Sequence, residues 1–222
     1  MSALVPALLY RHDPSPMARL GYAVARRIEP RLPRWVTPNQ ITVVGCGGMS
    51  IAGLAFYLAG IHPFWFLVAE LGVIVHWLAD HLDGHLARTR GLTSDRGLFL
   101  DMYLDMVSVI CLFYGIASAS YSTFQIFMTY LIVALLRGLV LAHWVHFKQR
   151  EVLPLFGLAD APVLAGICAA LTWYHPGAVL IVGGLGLGWF DLAAIPLATL
   201  LLGDVVTQFF ALVQALDPPR TG

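Results

Sequence analysis

Beyond Pro38 the chain breaks into apolar runs, each close to the ~20 residues a helix needs to cross a bilayer, separated by short polar connections. The runs fall at about 41–60, 63–87, 97–118, 122–146, 158–174 and 190–214, with 178–189 a short apolar piece of ambiguous form. Such a pattern predicts an all-α integral membrane protein with six transmembrane helices. The composition agrees: 59% of residues are hydrophobic and 12% charged, against ~25% charged in soluble domains. The 21 glycines and 13 prolines are spread through the apolar runs, as in membrane helices, and exclude disordered and fibrous classes. A formal net charge of zero gives no reason to expect a nucleic-acid partner. Cys46, Cys111 and Cys168 each lie in an apolar run without metal-binding spacing and read as packing residues.

The N-terminal stretch Leu4 to Leu9 is too short, and lacks the preceding cationic region, to read as a signal peptide. From Ser15, with Pro16 in the first helical position, the pattern turns helical. Met17, Leu20, Val24 and Ile28 fall within about 80° of arc, opposite Arg19 and Arg26. Residues 15–33 therefore predict an amphipathic helix lying in the membrane interface. Basic residues mark one side of the membrane: Arg11, Arg19, Arg26, Arg27, Arg31 and Arg34 before the first span, Arg88, Arg90 and Arg96 after the second, Lys148 and Arg150 after the fourth. The connections at 61–62, 119–121 and 174–177 carry none. Both termini and the basic loops are thus expected in the cytosol. Residues 1–222 read as a single membrane domain without internal repeats.

The chemistry gathers where the second span ends and the third begins. Asp80, Asp83, Gly84 and Ala87 recur at i, i+3, i+4 and i+7 on one helical face; Gly97, Asp101 and Asp105 do the same at steps of four. The short connection 89–96 predicts antiparallel neighbours whose acidic stripes face each other. Four carboxylates so placed repel unless cations sit between them. All-oxygen ligation suits Mg²⁺, Mn²⁺ or Ca²⁺, and two ions suit four shared carboxylates better than one. Gly84 and Gly97 leave room beside them for something flat or bulky. At 1.5 Å per residue Asp80 lies ~26 Å along its span, near the cytosolic edge of a ~30 Å core, where a soluble anion and a lipid can both arrive. Arg88, two turns beyond, is placed to hold a phosphate.

The string Asp80-x-x-Asp83-Gly84-x-x-Ala87-Arg88, eight residues, Gly97, three residues, Asp101, three residues, Asp105 resembles the signature of the CDP-alcohol phosphotransferases at every specified position. Average residue frequencies would produce it at a given position with a probability on the order of 10⁻¹⁰. The span count, the amphipathic helix and the lead-in Trp35-Val-Thr-Pro-Asn39-Gln-Ile-Thr42 are also similar to that family. The resemblance implies transfer of a substituted phosphate from a CDP-linked donor to a hydroxyl, with release of CMP. It implies that Asp80, Asp83, Asp101 and Asp105 bind two Mg²⁺ or Mn²⁺ ions and that Asp105 is also the catalytic base. Gly84, Ala87, Arg88, Gly97 and Asn39 would form the nucleotide site, and the enzyme would be a homodimer. Its compact length favours CDP-diacylglycerol as donor and a small polar alcohol, phosphorylated or not, as acceptor.

Alternatives stand beside these roles. Asn39 serves equally well as the cap of the first span, and His76, on the Asp80 face, as a core histidine or an acceptor contact. His81 and His85 sit off the carboxylate stripe, and Arg90 and Arg96 read as topology signals. Arg137, Lys148 and Arg150 would suit a phosphorylated acceptor, although Arg137 could instead pair with Asp191 or Asp204. Glu70, Asp191 and Asp204 are expected to pair with polar neighbours. Residues 32–39 also resemble the lead-in of the choline and ethanolamine phosphotransferases, which transfer from a CDP-amino-alcohol to diacylglycerol. From another class, a divalent-cation transporter or a non-catalytic scaffold would carry intramembrane acids too.

Overall fold

A computed structural model describes residues 15–148 and 161–216. Helix α1, Pro16–Ile28, is followed by a 3₁₀ turn, Glu29–Arg31, and by α2 (Pro38–Ala59), α3 (Trp65–Thr89), α4 (Asp95–Ala117), α5 (Phe124–Lys148) and α6 (Ala161–Tyr174). Strands β1 (Leu180–Val182) and β2 (Leu185–Leu187) then lead into α7, Trp189–Leu216. Five of these helices, α2, α3, α4, α5 and α7, are long and apolar enough to cross a membrane; α6 is a shorter apolar helix. Its 14 residues rise ~21 Å, and 158–160 of the expected fifth span lie outside the described residues. The ambiguous piece 178–189 is an antiparallel hairpin, with Leu180 opposite Leu187 and Val182 opposite Leu185.

Local sequence sets the helix ends. The Ser15 hydroxyl accepts the Ala18 N–H, and the Ser94 hydroxyl accepts the Gly97 N–H, at the starts of α1 and α4. α1 stops at Ile28, short of the expected 33, where Pro30 enters the 3₁₀ turn. α2 opens with a capping box in which Thr37 accepts the Gln40 N–H and the Gln40 side chain accepts the Thr37 N–H. The cap is therefore Thr37, and Asn39 is left to face elsewhere.

Packing departs from the expectation in one respect that shapes the site. α3 and α4, joined by a tight turn through Gly91 (φ 65°), barely touch. α2 lies against both instead. A Cβ on Gly72 would stand 2.5 Å from the Gly48 carbonyl oxygen, and one on Gly115 would collide with the Gly53 backbone. Successive contacts α3–α2–α4–α5–α7–α6–α3 close a ring of helices. One end of the ring is filled by Phe56, Phe66, Tyr121, Phe127 and Phe190, packed edge to face, tilted and stacked. The Tyr121 hydroxyl donates to the Phe56 carbonyl (2.7 Å). Buried Asp191 accepts from the Thr123 N–H (2.8 Å), the Thr123 hydroxyl (3.0 Å) and the Gly188 N–H (3.0 Å). These bonds tie the α4–α5 turn to the start of α7.

At the other end α1 lies on α3. The face it buries is Gly21 and Ala25, with Gly21 against the His81 ring, while Leu20 on the predicted apolar stripe is half exposed. Arg90 fastens the connection that follows: its guanidinium donates to the Glu29 carboxylate (3.2 Å) and to the carbonyls of Leu32 (2.9 Å), Pro33 (3.1 Å) and Val36 (3.2 Å). Expected as a topology signal, Arg90 also works as a staple between α3 and the lead-in to α2.

The close approach of α2 and α4 generates a prediction. Gly115→Ala should lower stability by about 1–3 kcal/mol through overpacking, read as a fall in the midpoint of thermal unfolding in detergent micelles. Gly47→Ala on the exposed face of α2, where a Cβ would meet nothing within 4 Å, should not lower that midpoint.

Candidate active site

The acidic stripes of α3 and α4 meet across the space that α2 holds open. Asp80, Asp101 and Asp105 each offer a carboxylate oxygen within 4.8 Å of the others; Asp80 is exposed, and Asp101 and Asp105 are half-buried. Asp83 stands one turn beyond Asp80 and outside that group of three. It is buried, with Oδ2 accepting from the Thr42 hydroxyl (2.7 Å) and Oδ1 from the Gly84 N–H. Thr42 thereby fixes the Asp83 rotamer from α2. Nothing in the acidic stripes pointed to Thr42; the available signal was a lone hydroxyl one turn after Asn39 at the start of an apolar run.

The small residues lie where the carboxylates leave room. A Cβ on Gly84 would stand 3.4 Å from an Arg88 guanidinium nitrogen, so Arg88 folds back over the glycine. Ala87, half-buried, follows on the same face. A Cβ on Gly97 would stand 3.5 Å from Asn39 Oδ1, which brings α2 to the start of α4. Arg88 thus covers Gly84 within α3, and Asn39 of α2 borders Gly97 one turn before Asp101 on α4.

Other candidates separate. His76 is buried one turn before Asp80, its Nδ1 facing the α2 backbone at Gly45. His81 packs edge-on against Tyr22 and tilted against Trp77, with Nδ1 2.7 Å from the Trp77 carbonyl, a structural position in keeping with its place off the stripe. Arg137 bonds Asp204 at 2.6 Å within the buried α5–α7 contact, which decides for Asp204 over Asp191 as its carboxylate partner. The Gln208 side chain reaches the other Asp204 oxygen (3.4 Å). Asp191 and Asp204 have the polar partners expected of them. Glu70 does not: it abuts Gly166, and its Oε2 is buried without a hydrogen-bond partner among the described residues. The Lys148 side chain and all of Arg150 lie outside the described residues.

The donor set fits a hard divalent cation. Ligand bonds of ~2.0–2.6 Å place two oxygens of one coordination sphere up to ~4–5 Å apart, which is the spread of Asp80, Asp101 and Asp105. Carboxylates alone, without thiolate or imidazole, suit Mg²⁺ or Mn²⁺. Such a cluster can hold the diphosphate of a ligand while one carboxylate accepts a proton.

Comparison with known proteins agrees with this geometry. The chain is 36% identical over 84 residues, 38% of its length, to phosphatidylinositol phosphate synthase of Streptomyces avermitilis, and 33% identical over 102 residues, 46% of its length, to archaetidylinositol phosphate synthase of Pyrococcus horikoshii. The matched stretches take in only 33% and 48% of those two relatives. A cholinephosphotransferase of Xenopus laevis is 30% identical over 95 residues, 40% of this chain and 24% of its own. The fold is that of the phosphatidylinositol phosphate synthase of Mycobacterium tuberculosis crystallised with CDP-DAG bound: TM-score 0.65 at 17% identity, over 90% of this chain and 98% of that one. A second crystal structure of that protein, with manganese and citrate, also gives 0.65, at 16% identity over 89% of this chain and 92% of that one. The sequence profile of the CDP-alcohol phosphatidyltransferases matches residues 35–207, a stretch that holds the whole run from Asn39 through the aspartates to Asp204, and the chain belongs to that family.

Proposed function

We propose that this protein is a phospholipid-synthesising transferase that moves a phosphatidyl group from CDP-diacylglycerol to the hydroxyl of a small polar alcohol, releasing CMP. The observation that carries this reading is the convergence of Asp80, Asp101 and Asp105 within 4.8 Å beside two glycine-lined surfaces. Family membership supports the reaction class, and the fold neighbour crystallised with CDP-DAG supports the donor.

Asp80, Asp83, Asp101 and Asp105 would hold two Mg²⁺ or Mn²⁺ ions, in keeping with the manganese in the neighbour's crystals. Bound there, such ions neutralise the diphosphate and stabilise the departing CMP. Thr42 fixes the Asp83 carboxylate from α2 by its hydrogen bond. Gly84, Ala87 and Gly97 leave space for the cytidine, Asn39 borders it, and Arg88 contacts the phosphates. Asp105 takes the proton of the acceptor hydroxyl as its oxygen bonds to the phosphatidyl phosphorus and the bond to CMP breaks. His76 would contact the acceptor, and Arg137, Lys148 and Arg150 would meet a phosphate on it. Two relatives named as a phosphatidylinositol phosphate synthase and an archaetidylinositol phosphate synthase support a phosphorylated inositol as acceptor. The similarity to a cholinephosphotransferase favours a second reading, a CDP-amino-alcohol donor with diacylglycerol as acceptor.

In the same reading the chain crosses the membrane six times, with α6 as the short crossing that packs between α3 and α7. α1 lies at the cytosolic interface, and both termini and the site face the cytosol. The positive-inside distribution supports this orientation, and a homodimer is the expected assembly.

Purified protein in detergent with Mg²⁺ or Mn²⁺ and CDP-diacylglycerol should release CMP with one member of a panel of glycerol 3-phosphate, inositol phosphate, inositol, serine and choline. Release only with CDP-choline or CDP-ethanolamine and diacylglycerol would reverse the donor assignment. Asp105→Asn should lower turnover at least 10²-fold with CDP-donor binding largely retained, whereas Asp83→Asn should weaken metal and nucleotide binding together. Near-normal activity in either variant would remove these roles. For the topology, cysteine introduced at Tyr174 or His175 should react with an impermeant maleimide only from the non-cytosolic face; labelling from the cytosol would refute the six-crossing arrangement.

A further inference from the structure

The β1–β2 hairpin is an unusual element in an otherwise helical chain. Residues 161–190 contain no Lys, Arg, Asp or Glu, and 178–190 read Ala-Val-Leu-Ile-Val-Gly-Gly-Leu-Gly-Leu-Gly-Trp-Phe. Gly183 (φ 58°) and Gly184 (φ 86°) close the turn with consecutive positive φ values, the requirement of a two-residue hairpin loop whose twist matches its strands. The Val179 N–H bonds the Leu187 carbonyl at 2.7 Å and extends the pairing toward the base. Only Leu187 turns inward; Ile181 is 73% exposed, Val182 56%, and Leu180 and Leu185 47% each. Side chains alternate between the faces of a strand, so the pairs Leu180–Leu187 and Val182–Leu185 share one face, Ile181 lies opposite Gly186 on the other, and neither face carries a polar side chain.

Its base is hydrogen-bonded to the start of α7 and, through it, to the α4–α5 turn. Gly188 donates to the buried Asp191 carboxylate, which also holds Thr123. That places the base beside the start of α5, whose first residues Phe124, Ile126 and Phe127 already belong to an apolar span. Trp173 and half-buried Trp189 flank the hairpin, and Tyr174 is 80% exposed. Ring systems with one polar atom are the residues that gather at membrane–water boundaries.

We propose that the hairpin is seated in the lipid of the membrane face opposite the carboxylate cluster, its side chains among the outer acyl segments, anchoring the α6–α7 connection. Two opposing terms set its depth. Aliphatic side chains on both faces, continuous with the apolar surface of α5 and α7, draw it into the bilayer. The outer edges of a two-stranded sheet carry unpaired backbone groups that cannot enter the hydrocarbon centre. The hairpin therefore stops at the boundary between head groups and acyl chains. The partner is lipid rather than a second copy of the chain, because Trp173, Tyr174 and Trp189 flank the hairpin as boundary residues do and residues 161–190 carry no charge that would select a protein partner.

The test is site-directed spin labelling of the full chain in phosphatidylcholine vesicles, with Cys46, Cys111 and Cys168 replaced by Ala and Ile181→Cys or Val182→Cys carrying a nitroxide. Collisions with oxygen should exceed those with a water-soluble nickel chelate several-fold at both positions, the reverse of a label at Leu92 in the α3–α4 turn. Higher nickel accessibility at 181 and 182 would overturn the proposal. So would low accessibility to both reagents with dipolar broadening, which would mean pairing with a second copy. Hydroxyl-radical footprinting of the unmodified protein gives the same answer without cysteine removal. In vesicles, oxidation of Ile181 and Val182 should fall at least several-fold below that of Leu92, and equal oxidation would overturn the assignment.

Discussion

The close contact of α2 with its two neighbours is the interaction on which the rest of the molecule depends. In a membrane, helices gain little from hiding apolar surface, so association rests on how closely their backbones can approach. Gly48 and Gly72 bring α2 against α3, and Gly53 and Gly115 bring it against α4. Because α2 occupies the place between them, α3 and α4 diverge from a shared turn instead of packing together. The gap this leaves is where Asp80, Asp101 and Asp105 converge. Direct packing of α3 on α4 would press the carboxylates together with no space for a diphosphate; α2 also supplies Thr42 to Asp83 and Asn39 to Gly97.

Polar groups elsewhere in the bundle are arranged to close it rather than to react. Arg137 and Asp204 neutralise each other between α5 and α7, Asp191 is saturated by Thr123 and Gly188, and Arg90 collects carbonyls at the mouth. With the Phe56, Phe66 and Phe190 cluster filling one end of the ring, the open, charged end is the one carrying the aspartates. An intramembrane charge that lacks a partner is expensive; a cluster of acids retained at the edge, where solvent and a cation can compensate them, is the arrangement that the proposed chemistry needs.

Much of this was legible beforehand, for reasons that differ by element. The start of α1 followed from Ser15 as cap and the spans from apolar run length, since both act locally, whereas Thr37 and Ser94 as the caps of α2 and α4 emerged only from the structure. The acidic stripes were readable because a spacing of three and four residues places side chains on one helical face whatever the helix packs against. The choice between Asp191 and Asp204 as partner of Arg137 was not readable, because it depends on the register of α5 against α7. Nor was the staple at Arg90, whose partners lie 54–61 residues away. The run 178–189 was ambiguous because a short, wholly apolar segment carries no period, and only the paired backbone distinguishes a hairpin from a helix.

The sequence by itself determined that the chain is helical and membrane-spanning, that its acids lie on two faces of adjacent helices, and that they carry the family signature. Tertiary structure alone decided that α2 stands between those helices, that Asp80, Asp101 and Asp105 offer oxygens within 4.8 Å of one another while Thr42 fixes Asp83 from α2, and that Arg137 pairs with Asp204. Periodicity reports which face a residue occupies; which face meets which is settled by backbone approach at glycines and by polar groups finding partners distant in the chain.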